Sequence, residues 1–292
     1  MRRLVLVNIL VIATLLLAAC ASAAPTEAPA VEEPQAEVAA DPEGCLGSAD
    51  SAVVDLNCRE ITIAVENAYL PFNYISLETG EPGGWDYDAW NEICTRLHCT
   101  PVFVEAAWDG MIQAVSDGQY DAAGDGITNT EDRQKQVAFS MGYINIQQRL
   151  LVRLGEDRFD SIEAFAETDL IMGTQTNTTN YETATEYLPE ERISAYEQFP
   201  FAIQALIAGD VDAVIIDEVV GMGYMGENAT ELELIGPAIS SDELGFIYPL
   251  GSDLVAPVDQ ALQSMMDDGF LAALNVQYFG PDFDITYDDI QE

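Results

Sequence analysis

The sequence predicts an α/β fold in two lobes, each a mostly parallel sheet flanked by helices. Two observations predict it. From Arg59 the chain alternates short apolar strands with stretches of helical spacing, and the alternation resumes after about residue 160; such βα repetition builds parallel sheets covered on both faces. At 292 residues and 49% hydrophobic content, the chain is also long and apolar enough for two lobes with real cores.

The first segment is of another kind. Arg2 and Arg3 precede an apolar run from Leu4 to Ala19, which ends in Leu17-Ala18-Ala19-Cys20. The run is shorter than the ~20 residues of a membrane-spanning helix, so residues 1–19 are expected to be a secretory signal peptide. Its ending resembles the lipobox of bacterial lipoproteins, which implies cleavage before Cys20 and a diacylglycerol on that sulfur. Residues 21–44 are rich in Ala, Pro and Glu and hold no aromatic side chain. They cannot bury enough apolar surface to offset their ordering entropy, so 20–44 is expected to be a lipidated, solvated tether. The mature protein is thus expected at the outer face of the cell membrane, or on the periplasmic side if there is an outer membrane. It is anchored there without spanning.

Export into an oxidising compartment leaves Cys45, Cys58, Cys94 and Cys99 as an even set with three possible pairings. Local spacing favours Cys45 with Cys58 and Cys94 with Cys99. No metal site or cofactor is expected, because no cysteine pair has two-residue spacing and His98 is the sole histidine. His98 reads as a helix-end residue.

The elements then follow in order. ITIAVE (61–66) is an apolar strand, and residues 86–97 place Tyr87, Trp90, Ile93 and Leu97 at helical spacing. PVFVEA is a strand, Trp108 to Val115 a helix and YDAAG a strand. Thr130 can cap a further helix, with Glu131 and Asp132 in a first turn whose dipole favours negative charge. In the second block DLIMGTQ, RISAYE and VDAVII are strands, while 178–187, 201–208 and a Gly/Met-rich stretch are helices. Met222, Met225, Met265 and Met266 read as core filling.

Ligands of open α/β sheets sit beyond the carboxyl ends of the strands. Here those ends carry Glu66 and Tyr69, then Asp125 to Thr128, then Gln175 to Thr179, then Asp217. Against ten Lys plus Arg stand 51 Asp plus Glu, a formal charge of −41. A polyanion of this kind repels nucleic acid and anionic lipid. Yet DAAGDGITNTEDRQKQVAFS (121–140) keeps Arg133 and the only lysine, Lys135, which reads as a solvated helix residue. A guanidinium beside the free N–H groups of a helix N-terminus makes a carboxylate receptor, and carboxylates opposite it bind a cation. An anion with a cation close to it describes an amino acid.

Five stretches in series resemble the polar amino-acid family of ABC-transporter solute-binding proteins. They are Tyr69-Leu70-Pro71-Phe72, Gly84-Trp85-Asp86-Tyr87-Asp88, Trp108-Asp109-Gly110-Met111-Ile112, the 121–140 segment, and Met172-Gly173-Thr174-Gln175 through Thr179 with Asp210-Val211-Asp212-Ala213 and Asp217. The resemblance covers most of 60–280. It implies the periplasmic-binding-protein type II fold: a first lobe over 45–150, a second over 151–244, and a return to the first over 245–292 with C-terminal helices. Hinge strands are implied near Leu150 to Leu154 and Gly245 to Leu250. It further implies that Arg133 and Thr128, with backbone N–H groups near Gly126, hold an α-carboxylate, that Thr178 or Thr179 closes on it, and that Asp217 takes the α-ammonium. Tyr69 and Trp108 would sandwich the side chain, with Glu66 meeting a cationic one. Asp125 stands where relatives carry Ala or Ser, Asn177 where they carry Gly, and Pro249 and Leu250 where they often carry a charge.

Glu66, Asp125 and Asp217 against Arg133 leave a net negative site beside aromatic rings, which favours arginine, lysine or ornithine, with glutamine second. The implied partners are an ABC permease and its ATPase, and the protein is expected to be a monomer and not an enzyme. Two alternatives share the resemblance. One is a dehydratase acting on cyclic carboxylates, akin to cyclohexadienyl dehydratase, with Glu66 or Asp125 as acid or base. The other is a sensory lipoprotein without a permease.

Overall fold

The computed structural model describes residues 41–225, 230–280 and 282–291. The signal peptide, Cys20 and most of the tether expectation lie outside them. In the first lobe the chain runs β1 (Arg59–Val65), β2 (Ala68–Tyr69), β3 (Asn73–Ile75), β4 (Pro82–Gly83), α1 (Trp85–Leu97), β5 (Cys99–Glu105), α2 (Met111–Ser116), β6 (Ala122–Ala123) and β7 (Val137–Phe139). The second lobe runs β8 (Ile144–Arg153), α3 (Ile162–Ala166), β9 (Met172–Gln175), α4 (Thr179–Tyr187), β10 (Ile193–Tyr196), α5 (Phe199–Ala208), β11 (Ala213–Asp217), α6 (Glu218–Met225) and β12 (Leu232–Leu244). The chain then returns to the first lobe through β13 (Ile247–Pro249), α7 (Val255–Asp267) and α8 (Phe270–Phe279).

The two sheets have the orders β5-β1-β6-β13-β7 and β10-β9-β11-β8-β12, and β2-β3-β4 forms a small third sheet. In each large sheet three neighbouring strands are parallel and the fourth, β13 or β8, runs against both its neighbours, so that the edge strand, β7 or β12, again runs with the first three. β8 and β12 pair along nearly their whole length, with Leu150 opposite Ile235 and Ile144 opposite Leu244. The first crossing therefore lies between Phe139 and Ile144, upstream of the expected Leu150 to Leu154, because those residues already sit in the second sheet. The return falls between Leu244 and Ile247.

The sequence periodicities are legible in the packing. Trp90, Ile93 and Leu97 on α1 are fully buried against Ile61, Ile63 and Tyr248 of the first sheet, while Val214 and Ile216 bury their side chains in the second. α2 starts at Met111 rather than Trp108, because Gly110 takes φ +87 and caps it. The helix expected after Thr130 is a single 3-10 turn, Arg133–Lys135, that leads straight into β7. The residue that caps it is Asp132, not Thr130, although the Thr130 hydroxyl still accepts from Arg133 N–H at 3.2 Å. Among the four methionines only Met265 is fully buried; Met222 and Met266 lie at the surface. Disulfides join Cys45 to Cys58 and Cys94 to Cys99. His98 ends α1 in the left-handed conformation, and its ring nitrogens bridge Asp55 and Asp41.

α1 begins against the loop that carries Tyr69. Trp85 and Asp86 N–H donate to the carbonyls of Pro71 and Phe72, and Gly84 makes the approach possible with φ +123. A Cβ at Gly84 would lie 2.3 Å from the Phe72 carbonyl oxygen. Gly84→Ala is therefore expected to lower stability by at least ~2 kcal/mol in urea unfolding, combining backbone strain with a clash. Gly80→Ala, at φ +71 with open space around it, is expected to cost only about 1 kcal/mol.

Candidate functional site

Strand ends from both sheets converge on one cleft. β1 ends at Val65 and delivers Glu66; β6 ends at Ala123 and delivers Asp125, Gly126 and Thr128; β9 delivers Gln175 and the start of α4; β11 ends in Asp217. All ten residues singled out from the sequence line this cleft: Glu66, Tyr69, Trp108, Asp125, Gly126, Thr128, Arg133, Thr178, Thr179 and Asp217. They are joined there by Gln175, Asn180 and Phe199, with room between them for only about 20 Å³.

The positive end of the cleft is Arg133. It is 7% exposed, donates through Nη1 to the Thr128 carbonyl at 3.0 Å, and lies over the Trp108 ring at 5.3 Å. No carboxylate among the described residues lies within ion-pair distance of it; Asp132 pairs with Lys135 and Asp125 with Asn73. Burial lowers its pKa, yet a guanidinium stays charged throughout the physiological range. The helix N-terminus opposite it is that of α4 in the second lobe, not of a helix after Thr130, where the chain makes only the 3-10 turn. Thr178 caps α4, its hydroxyl accepting from Tyr181 N–H and donating to the Gln175 carbonyl, which leaves Thr179 to face the cleft. Thr179 Oγ1 is 3.3 Å from Thr128 Oγ1 of the first lobe.

The negative end holds three buried carboxyl groups. Asp217 accepts from the Tyr69 hydroxyl on one oxygen and from Asn180 Nδ2 on the other at 3.3 Å. Asp125 accepts from Asn73 Nδ2 at 2.7 Å, and the same amide nitrogen donates to Asp86 behind it. Glu66 receives Gln175 Nε2 from the second lobe at 3.1 and 3.3 Å. Burial pushes all three pKa values up, to about 6 for Asp217, and Asp125 raises Glu66 further by repulsion. A cation brought among them would reverse that effect.

Tyr69 and Trp108 both border the cleft, but with partners of their own. Tyr69 stacks with Phe72 at 5.5 Å and with Phe199 at 5.7 Å, while Trp108 faces Arg133. Gly126 has φ +58, and a Cβ there would come within 2.7 Å of the Tyr69 ring, so the small residue keeps that ring in place.

Residues 61–281 match the bacterial extracellular solute-binding proteins, family 3. The chain belongs to this family. The cystine-binding protein TcyJ of Escherichia coli K12 is 25% identical over 76% of this chain and 83% of its own. The arginine-binding periplasmic protein of Mannheimia haemolytica is 29% identical over 74% and 90%. Among solved structures, an ancestral arginine-binding protein bound to glutamine superposes with a TM-score of 0.71 at 28% identity, covering 76% of this chain and 98% of that one. The named relatives are substrate-binding proteins rather than enzymes, and the family is extracytoplasmic. No helix among the described residues is long and apolar enough to cross a membrane.

The cleft contains residues that spacing alone did not single out. Asn180 follows Thr179 directly and is 2% exposed, and its Oδ1 has no hydrogen-bond partner among the described residues. Its amide orientation is set by Asp217, which accepts Nδ2. Phe199 opens α5 two residues ahead of the expected start at Phe201, and as an apolar side chain before Pro200 it carries no polar signal. The raised pKa of Asp217 has a definite sign: its contribution to the stability of the unbound protein is complete below pH ~3.8 and is lost as pH rises through about 6. Asp217→Asn is accordingly expected to be more stable than the parent at pH 8, by on the order of 3 kcal/mol, with the gain vanishing near pH 4 in urea unfolding. An equal effect at both pH values would contradict this sign.

Proposed function

We propose that this protein is the binding subunit of an ABC importer, tethered outside the cell membrane through a lipid on Cys20, and that it captures a cationic amino acid for delivery to a permease. The observation that carries the ligand reading is the arrangement of charge in one cleft: a buried guanidinium with no carboxylate in ion-pair distance among the described residues, Asp217 within its field, and the buried pair Glu66 and Asp125 beyond. In this reading Arg133 and Thr128 hold the α-carboxylate by charge-assisted hydrogen bonds, and Thr179 at the start of α4 closes on it from the second lobe. Asp217 takes the α-ammonium, and Asn180 Oδ1 accepts one of the remaining ammonium hydrogens. Glu66 and Asp125 receive the side-chain cation beside Tyr69 and Phe199.

The charge count favours arginine, lysine or ornithine, and glutamine second. An acidic amino acid would need a further cation, and Arg133 is the only one that lines the cleft among the described residues. The arginine named for one relative, and the arginine and glutamine named for one solved structure, agree with that order.

A thermal-shift screen of residues 41–292 against the common amino acids and ornithine tests the reading. Arginine or lysine is expected to stabilise by ~2.7 kcal/mol at a hundredfold excess over its dissociation constant. Arg133→Ala is expected to abolish the shift, and Asn180→Ala to weaken affinity about tenfold by removing an acceptor and one support of Asp217. A shift with glutamate alone, or with no amino acid at all, would overturn the ligand class.

A further inference from the structure

Residues 282–291 follow the stretch that matches the family, and they are fastened to the first lobe by their backbone. Leu77 N–H donates to the Asp289 carbonyl at 2.7 Å, Gln291 N–H donates to the Ile75 carbonyl at 2.8 Å, and Ser76 and Ile290 form an antiparallel bridge. A capping box between Thr286 and Asp289 sets the turn that precedes the bridge. Ile290 is buried against Leu70 and Tyr74.

From this turn Tyr287 reaches the second lobe. Its ring stacks on Tyr224 with planes parallel to within 4°, and Tyr224 belongs to α6, which packs on β8, β11 and β12. Its hydroxyl accepts from Leu70 N–H at 3.1 Å. Leu70 follows Tyr69, and α6 follows Asp217, so one side chain supports both partners of the Tyr69–Asp217 hydrogen bond from behind. The contact with the second lobe is narrow. A groove of about 370 Å³ lined by Pro71, Met222 and Phe283 lies near it, and another of about 160 Å³ lined by Ala68, Ile203 and Tyr224. An aromatic stack with one hydroxyl-to-hydroxyl hydrogen bond, set between such grooves, separates more readily than a continuous core.

We propose that residues 282–291 form a latch between the lobes, with Tyr287 as the bolt that favours the closed cleft and slows ligand release. The proposal rests on the hinge motion implied by the solute-binding reading. Its energetic basis is that a contact made only in the closed form shifts the closing equilibrium by its own free energy.

Small-angle scattering of residues 41–292 without added ligand tests it, comparing the parent with Tyr287→Ala and Tyr287→Phe. The alanine variant is expected to have a larger radius of gyration, and the phenylalanine variant, which keeps the stack, to remain compact. L-arginine is expected to leave the alanine variant about tenfold faster in stopped-flow displacement, the scale of one lost aromatic stack. An unchanged radius in Tyr287→Ala overturns the latch. If that variant does not fold, Tyr224→Ala removes the other ring and is read the same way. Should L-arginine not bind the parent, the ligand reading fails while the scattering comparison still decides the latch.

Discussion

The rest of the structure depends on one constraint: a guanidinium is buried in a polyanionic chain with no carboxylate among the described residues close enough to pair with it. Desolvating a charge is costly, and proteins ordinarily answer with a paired counter-ion. Arg133 has instead the Thr128 carbonyl and the face of Trp108, so most of its donors remain for another partner. Across the cleft the opposite cost accumulates. Glu66 and Asp125 are buried side by side, Asp217 is buried between Arg133 and Asp242, and each of the three is pushed toward its neutral form. A zwitterion with an extra positive charge relieves both costs at once, which is why the two ends are best understood as one site.

The lobes also meet directly. Tyr69 to Asp217, Gln175 to Glu66, Thr128 to Thr179 and Asn177 to Asp109 are hydrogen bonds between residues of different lobes. An entering ligand exchanges several of these contacts for its own, so affinity is the difference between two closed arrangements rather than a sum of new contacts. Asn177 illustrates how closely the loop is fitted. It holds φ +59, a left-handed conformation that asparagine tolerates better than most residues, while its side chain donates across to Asp109.

Much of this was legible in the sequence, for identifiable reasons. Glu66, Asp125, Gln175 and Asp217 end strands whose apolar runs are short and clear, so the rule that ligands gather at strand ends located the cleft. The cysteine pairings followed from spacing and bear out as disulfides. What escaped was set by tertiary context. The segment after Thr130 has a helix-start signature, yet Val137 to Phe139 is needed as the edge strand beside β13, and the pairing limits the helix to one turn. The crossing between lobes was displaced because the first half of β8, Asn145 to Arg149, is mostly polar, so only the apolar Leu150 to Val152 stands out although the second sheet already begins at Ile144. Asn180 was missed because a lone asparagine early in a helix reads as solvated, and only its orphaned oxygen beside Asp217 reveals otherwise.

The central claim is that ligand charge answers the buried carboxyl groups, and its most direct test is proton bookkeeping on binding. Titration calorimetry of residues 41–292 with L-arginine near pH 6, in two buffers of different ionisation enthalpy, reads the protons exchanged. Because Asp217 titrates at about 6 in the unbound protein and the bound cation requires it ionised, roughly half a proton or more should be released per arginine, with tighter binding at pH 8 than at pH 5. Binding without proton release and with one affinity across that range would show that the carboxyl groups do not meet the ligand's charge.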